Sequence, residues 1–144
     1  TYNCFIHHAL KLLKSGDTSA AREFLKLELQ TFTDSPDALR ELGKLHKQTG
    51  EWHVAIKYFK RMLKTAENAQ AAAHKRSALF HLGECMLNLR RKKEAVAFLQ
   101  RCLEVQPDHV AAKNILRQLN ALPRARNKMR RLRLVSASQA GHKT

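Results

Sequence analysis

The sequence predicts an all-α fold: three antiparallel helix pairs followed by a single capping helix. Residues 36–69 read as two short amphipathic helices joined at Gly50, with Leu39, Leu42, Gly43 and His46 on one face of the first. Trp52, Ala55, Phe59 and Met62 share a face of the second. Neither helix can bury its face alone, so the pair packs on itself and then on a neighbour. The neighbours are present as repeats. Gly16 and Gly50, Ala21 and Ala55, and Leu25 and Phe59 are each 34 residues apart. Downstream, Leu79, Leu82, Gly83, Met86, Ala95, Leu99, Cys102 and Pro107 renew the pattern.

Taken in order, the first unit spans 2–35 and keeps Phe5, Ala9, Leu12, Gly16, Ala21 and Leu25. It has His8 where the other units have leucine, and it lacks the closing proline. Asp34-Ser35-Pro36 places a capping hydroxyl before a proline at the first helical position of unit two, 36–69. Unit three, 76–109, is offset by 40 residues rather than 34, and the six extra residues, Gln70 to Lys75, contain three consecutive alanines. Alanine favours helix, so the first helix of unit three is expected to lengthen by about a turn and a half. An inserted loop is the alternative. Arg90 stands where the other two turns have glycine. Pro107-Asp108 closes unit three and is expected to cap the next helix, 109–121. That helix would cover the array with Val110, Ile115 and Leu116 while Lys113, Arg117 and Gln118 face water. Expected helices are 2–15, 18–31, 36–49, 52–66, 70–89, 92–105 and 109–121, making a domain of 1–122 and a tail of 123–144. The chain opens Thr1-Tyr2-Asn3 with its helical pattern already running, which suggests a fragment or processed product.

A 34-residue helix–turn–helix period with Leu-Gly mid-helix, a later alanine, a large residue four positions on and a closing proline resembles the tetratricopeptide repeat family. The likeness covers about 110 residues, and its positions recur in phase. It implies a right-handed superhelical array whose first helices line a concave groove, and a non-catalytic role in binding proteins. Gly43 and Gly83 are then small because helices cross there, and Ala55 and Ala95 for the matching contact.

Composition narrows the class. The chain has 144 residues, 44% of them hydrophobic, with no apolar run near the ~18 residues a spanning helix needs. Three scattered cysteines do not make a disulfide framework and fit a reducing, intracellular setting, cytoplasmic or nuclear. Lys and Arg number 27 against 12 Asp and Glu, a net charge of +15. Residues 1–35 are balanced, whereas 123–144 carry seven basic residues and no acid.

No catalytic constellation emerges. Glycine-rich phosphate loops, nucleophile elbows and zinc-ligand spacings are absent, and the eight histidines show no i, i+4 pair. No catalytic residue, metal or cofactor is expected. Binding remains. The groove positions implied by the resemblance include an apolar stripe, Ile6, Leu10 and Leu13, beside a basic stripe, Arg40, Lys44 and Lys47, with Phe80 and Glu84 across from them. That pattern suits a peptide or helix with apolar anchors and acidic residues. Repeats upstream, or the tail folding back, would also cover the apolar stripe. The family's carboxylate clamp for chaperone tails is not expected, because its five positions hold Ile6, Leu10, Glu41, Ser77 and His81. The tail residues Arg124, Arg126, Lys128, Arg130, Arg131 and Arg133 suit nucleic-acid phosphates, an acidic protein surface or anionic lipid, or serve only solubility. They carry the alternative reading, an RNA- or ribonucleoprotein-associated subunit. Ser136 follows Arg131 and Arg133 at the spacing of a basophilic phosphorylation site.

Overall fold

A computed structural model describes residues 4–120, and among these every regular element is a helix. They are α1 (Cys4–Ser15), α2 (Thr18–Thr31), α3 (Pro36–Gln48), α4 (Trp52–Asn68), α5 (Ala72–Asn88) and α6 (Lys92–Val105), with α7 over 110–120. Compact contacts divide the chain after Pro107, so that α1–α6 form one unit and α7 belongs to another.

Within the first unit, four helices end in the same way. Gly16, Gly50, Gln70 and Arg90 take positive φ, at 89°, 80°, 53° and 60°. Each donates its N–H to a carbonyl three residues back, and the following residue donates five residues back. Asp17 N–H reaches Leu12 O, Glu51 reaches His46, Ala71 reaches Ala66 and Arg91 reaches Met86, all at 2.9 Å. This pairing satisfies the last carbonyls of the helix and reverses the chain. It is native to glycine, and Arg90 and Gln70 adopt it against the steric preference of a side chain.

The start signals are also local. Asp17 accepts from Ala20 N–H at 3.1 Å, and Ser35 accepts from Ala38 N–H at 3.4 Å ahead of Pro36. For α7 the expected cap is corrected. The helix begins after His109, whose Nδ1 accepts from Ala112 N–H at 3.1 Å, so His109 and not Asp108 closes that end.

The six-residue insertion continues helix, as its alanines require, but not in one place. α4 runs three residues beyond the point matching the end of α2. α5 starts four residues before the point matching the start of α3, and the connection between them is one residue shorter. Gln70 explains the division: its left-handed backbone ends α4 before the alanine run can fuse the two helices.

The packing core follows the repeat. A Cβ on Gly43 would lie 2.6 Å from Phe59 Cζ, and one on Gly83 would lie 2.8 Å from Leu99 Cγ. Close helix crossing therefore demands glycine at both positions. Phe59, Leu39, Leu42, Met62, Leu79, Leu82, Met86 and Leu99 are fully buried around these crossings. Arginines at matching places reach back to the preceding pair. Arg61 donates to Thr33 O, and Arg101 Nη2 lies 2.9 Å from Glu67 Oε1. One polar group fits this core poorly. Glu28 is fully buried with both carboxylate oxygens unpartnered. Burial pushes its pKa up, the Ser35 hydroxyl beside it opposes the rise, and the charge of Asp37 adds to it.

Candidate partner-binding face

The face in question is built by the first helices of the pairs. α1 contributes Ile6, Leu10 and Leu13 at i, i+4, i+7, which places them on one side of the helix. That side is not open as the sequence suggests. Ile6 is only 6% exposed, in a cluster with Ala9, Leu25, Ala38, Leu42 and Leu45, and Leu10 and Leu13 pack half-buried against it. The stripe therefore joins the first pair to α3, and Ile6 is removed from the binding surface. Apolar residues with an apolar neighbour in reach bury against it before any outside partner does.

α3 presents Arg40, Lys44 and Lys47 at the matching positions, and here the contacts become ionic. Arg40 Nη2 sits 3.0 Å from Asp37 Oδ1, and its Nε sits 3.4 Å from Glu41 Oε1. Lys44 Nζ lies 3.6 Å from Glu41 Oε1. Lys47 crosses to α5, with Nζ 3.0 Å from Glu84 Oε1 and 3.1 Å from His81 Nδ1. His81 Nδ1 is itself 3.3 Å from Glu84 Oε1. The His81 ring is held by stacking on Phe59 at 4.8 Å and tilts against Phe80 at 5.9 Å. Burial would raise the Glu84 pKa, but hydrogen bonds from His81 and Lys47 and the Lys47 charge outweigh it and hold the carboxyl below its ordinary value.

The basic stripe is thus internally compensated, and its three members differ in role. Lys47 is a crosspiece between α3 and α5 with two partners and little exposure. Among the described residues Arg40 and Lys44 pair only with acids on their own helix, one to three residues away, and Lys44 keeps 42% of its side chain exposed. Pairs of that kind contribute about 0.5 kcal/mol or less, so they exchange readily for a partner's carboxylate. Phe80 and Glu84 are half-buried on the facing side of α5. Sequence reasoning placed Glu84 on this face but missed His81 as its neighbour. The signal available was the heptad-like approach of Lys47 to the next first helix, which needs the helix offset to be read.

Nucleophilic chemistry is disfavoured at the buried thiols. Burial raises the Cys85 pKa to about 11, with Lys47 pulling it down and Glu84 up, and burial likewise raises Cys102. Among the described residues no group of three metal-ligating side chains converges, and no helix is long and apolar enough to cross a membrane. Arg124, Arg126, Lys128, Arg130, Arg131, Arg133 and Ser136 lie outside the described residues.

A family model of the tetratricopeptide repeat matches residues 34–108. No curated protein matches the chain in sequence. Among solved structures, the N-terminal domain of stress-induced protein-1 (STI-1) from C. elegans superposes with a TM-score of 0.69 at 11% identity, over 83% of this chain and 99% of that one. The first TPR of Spaghetti (RPAP3), solved bound to the HSP90 peptide SRMEEVD, superposes with a TM-score of 0.71 at 18% identity, over 82% and 89%. A mutant of MamA gives 0.66 at 19% identity, over 97% and 74%. At these identities the likeness is one of fold.

Proposed function

The chain belongs to the tetratricopeptide repeat family, and on that premise we propose that it is a non-catalytic scaffold or adaptor. Its partner is a peptide or helix held against the face built by α3 and α5, inside a larger intracellular assembly. The observation that carries this reading is the Lys47–His81–Glu84 crosspiece. It ties α3 to α5 without using Arg40 or Lys44, and so leaves those two cations, held only by weak pairs on their own helix, on a face whose framework is already fixed. The partner supplies carboxylates for Arg40 and Lys44 and an apolar anchor for Phe80, with the exposed edges of Leu10 and Leu13 as a second apolar contact.

Chaperone tails do not meet these requirements. The five clamp positions hold Ile6, Leu10, Glu41, Ser77 and His81. Of these, Ile6 is core, Glu41 is committed to Arg40 and Lys44, and His81 sits against Lys47 and Glu84 in the crosspiece. SRMEEVD, the peptide on the RPAP3 domain, serves as the negative control.

The test is selection of binders from a displayed peptide library with the full chain, followed by affinity measurement on the variants. Selected peptides should combine acidic and apolar residues and lose about tenfold in affinity to Lys44→Glu and to Phe80→Ala, roughly 1.4 kcal/mol each. Peptides that bind both variants as well as the parent chain would remove the α3–α5 face from consideration.

A further inference from the structure

The outer side of α4 carries charge that the fold neither uses nor compensates. His53, Lys57, Lys60 and Lys64 recur at i, i+4, i+7 and i+11 and are all exposed. At 3.6 residues per turn they fall within about 60° of one another, along about 17 Å of helix. Among the described residues none of the four has an ion pair or side-chain hydrogen bond. The carboxylates of α4 and its N-cap are engaged elsewhere: Glu51 with Thr49 and His46, and Glu67 with Arg101. Arg61, next to the row, is spent on Thr33 O.

The repeat does not demand this charge. At the matching exposed positions α2 has Ser19, Glu23, Lys26 and Gln30, and α6 has Lys93, Ala97, Gln100 and Glu104. Like charges three and four residues apart on a helix repel, so the row opposes folding locally. The contrast with α3 is sharp: there, every cation of the corresponding row has a carboxylate.

We propose that the outer side of α4 is a docking surface for the phosphate backbone of double-stranded nucleic acid, without base recognition. Three features favour that occupant over an acidic protein. The row is lysine, which meets phosphate as a point charge and is depleted from the centres of protein interfaces. No exposed aromatic or aliphatic anchor interrupts it, so association must come from charge alone. A duplex presents one negative charge per about 1.7 Å of axis and releases condensed counterions when neutralised, which makes charge alone sufficient. The lack of aromatics in the row also disfavours single strands, which are held by base stacking.

The test is fluorescence anisotropy of the full chain with short labelled duplexes, DNA and RNA in separate arms, across a salt series. The triple variant K57A/K60A/K64A is compared with the parent and with a chain whose six arginines and lysines at 124–133 are alanine. Alanine at exposed helical sites preserves the helix, which circular dichroism verifies. Three phosphate contacts contribute about 2.7 to the slope of log K against log salt, so the parent should lose about 40-fold more affinity than the triple variant between about 50 and 200 mM salt. The tail variant should keep that share of the slope. Equal slopes for parent and triple variant overturn the proposal, because the tail then carries all the binding. It is also overturned if duplexes fail to bind at low salt, or if an oligoglutamate peptide or phosphatidylserine vesicles are the only ligands the triple variant loses.

Discussion

Gly43→Ala tests the central packing claim. The added Cβ would meet the Phe59 ring at 2.6 Å from Cζ, 2.7 Å from Cε1 and 3.0 Å from Cε2. Ordinary contact begins near 3.4 Å, so a gap of 0.8 Å must open. Phe59 is fully buried, and a ring enclosed at native density has no empty side to move into. Overpacking of this kind costs up to about 3 kcal/mol, while alanine recovers about 1 kcal/mol over glycine as a helix former. The expected net loss is therefore about 2 kcal/mol, with a fall in Tm of roughly 8 °C for a domain of this size. The assay is urea and thermal unfolding followed by far-ultraviolet circular dichroism. Gly43→Ala combined with Phe59→Leu should cost at least about 1 kcal/mol less than the sum of the singles, because the shorter side chain frees the space. A Gly43→Ala protein as stable as the parent, or strict additivity in the double variant, would refute the crossing argument.

Three further outcomes follow from local features. Arg90 holds the left-handed turn at φ 60°, and glycine removes a steric cost of about 1–2 kcal/mol there. Extra freedom in the unfolded chain returns about half of it, so Arg90→Gly should raise stability by about 0.5–1 kcal/mol in urea. Glu84 has a depressed pKa, so its contribution is present above its ordinary value of 4.5 and is lost as pH falls through the folded value. Glu84→Gln should be less stable than the parent at neutral pH by on the order of 1 kcal/mol, with the difference vanishing in acid. Glu28 behaves in the opposite sense, because its pKa is raised and the folded state holds its proton to higher pH. Parent stability should decline as pH rises from 4.5 through the folded value. Glu28→Gln should therefore be the more stable protein at neutral pH, and equal denaturation midpoints from acid to neutral would contradict the buried-carboxylate account.

The order and type of the described helices, the cap at Ser35, and the glycines at the crossings were legible in the sequence, because each rests on contacts within a few residues or on a period that repeats. A helical face needs only spacing to be recognised, and a left-handed turn needs only a residue that tolerates it. The identity of what covers that face is another matter. Ile6, Leu10 and Leu13 have the spacing of an exposed groove stripe and of a buried seam alike, and only the offset of α1 against α3 makes them a seam. Arg40, Lys44 and Lys47 form a basic row on paper, yet a carboxylate stands beside each once Asp37, Glu41 and Glu84 are brought round by the turn of α3 and the approach of α5. The six-residue insertion says helix by composition, while its division between α4 and α5 was decided by where Gln70 took up the left-handed turn. Periodicity is a local property and survives in a one-dimensional string. Burial, and the pairing of Lys47 with Glu84, depend on neighbours in another helix pair, and it is helix packing that assigns them.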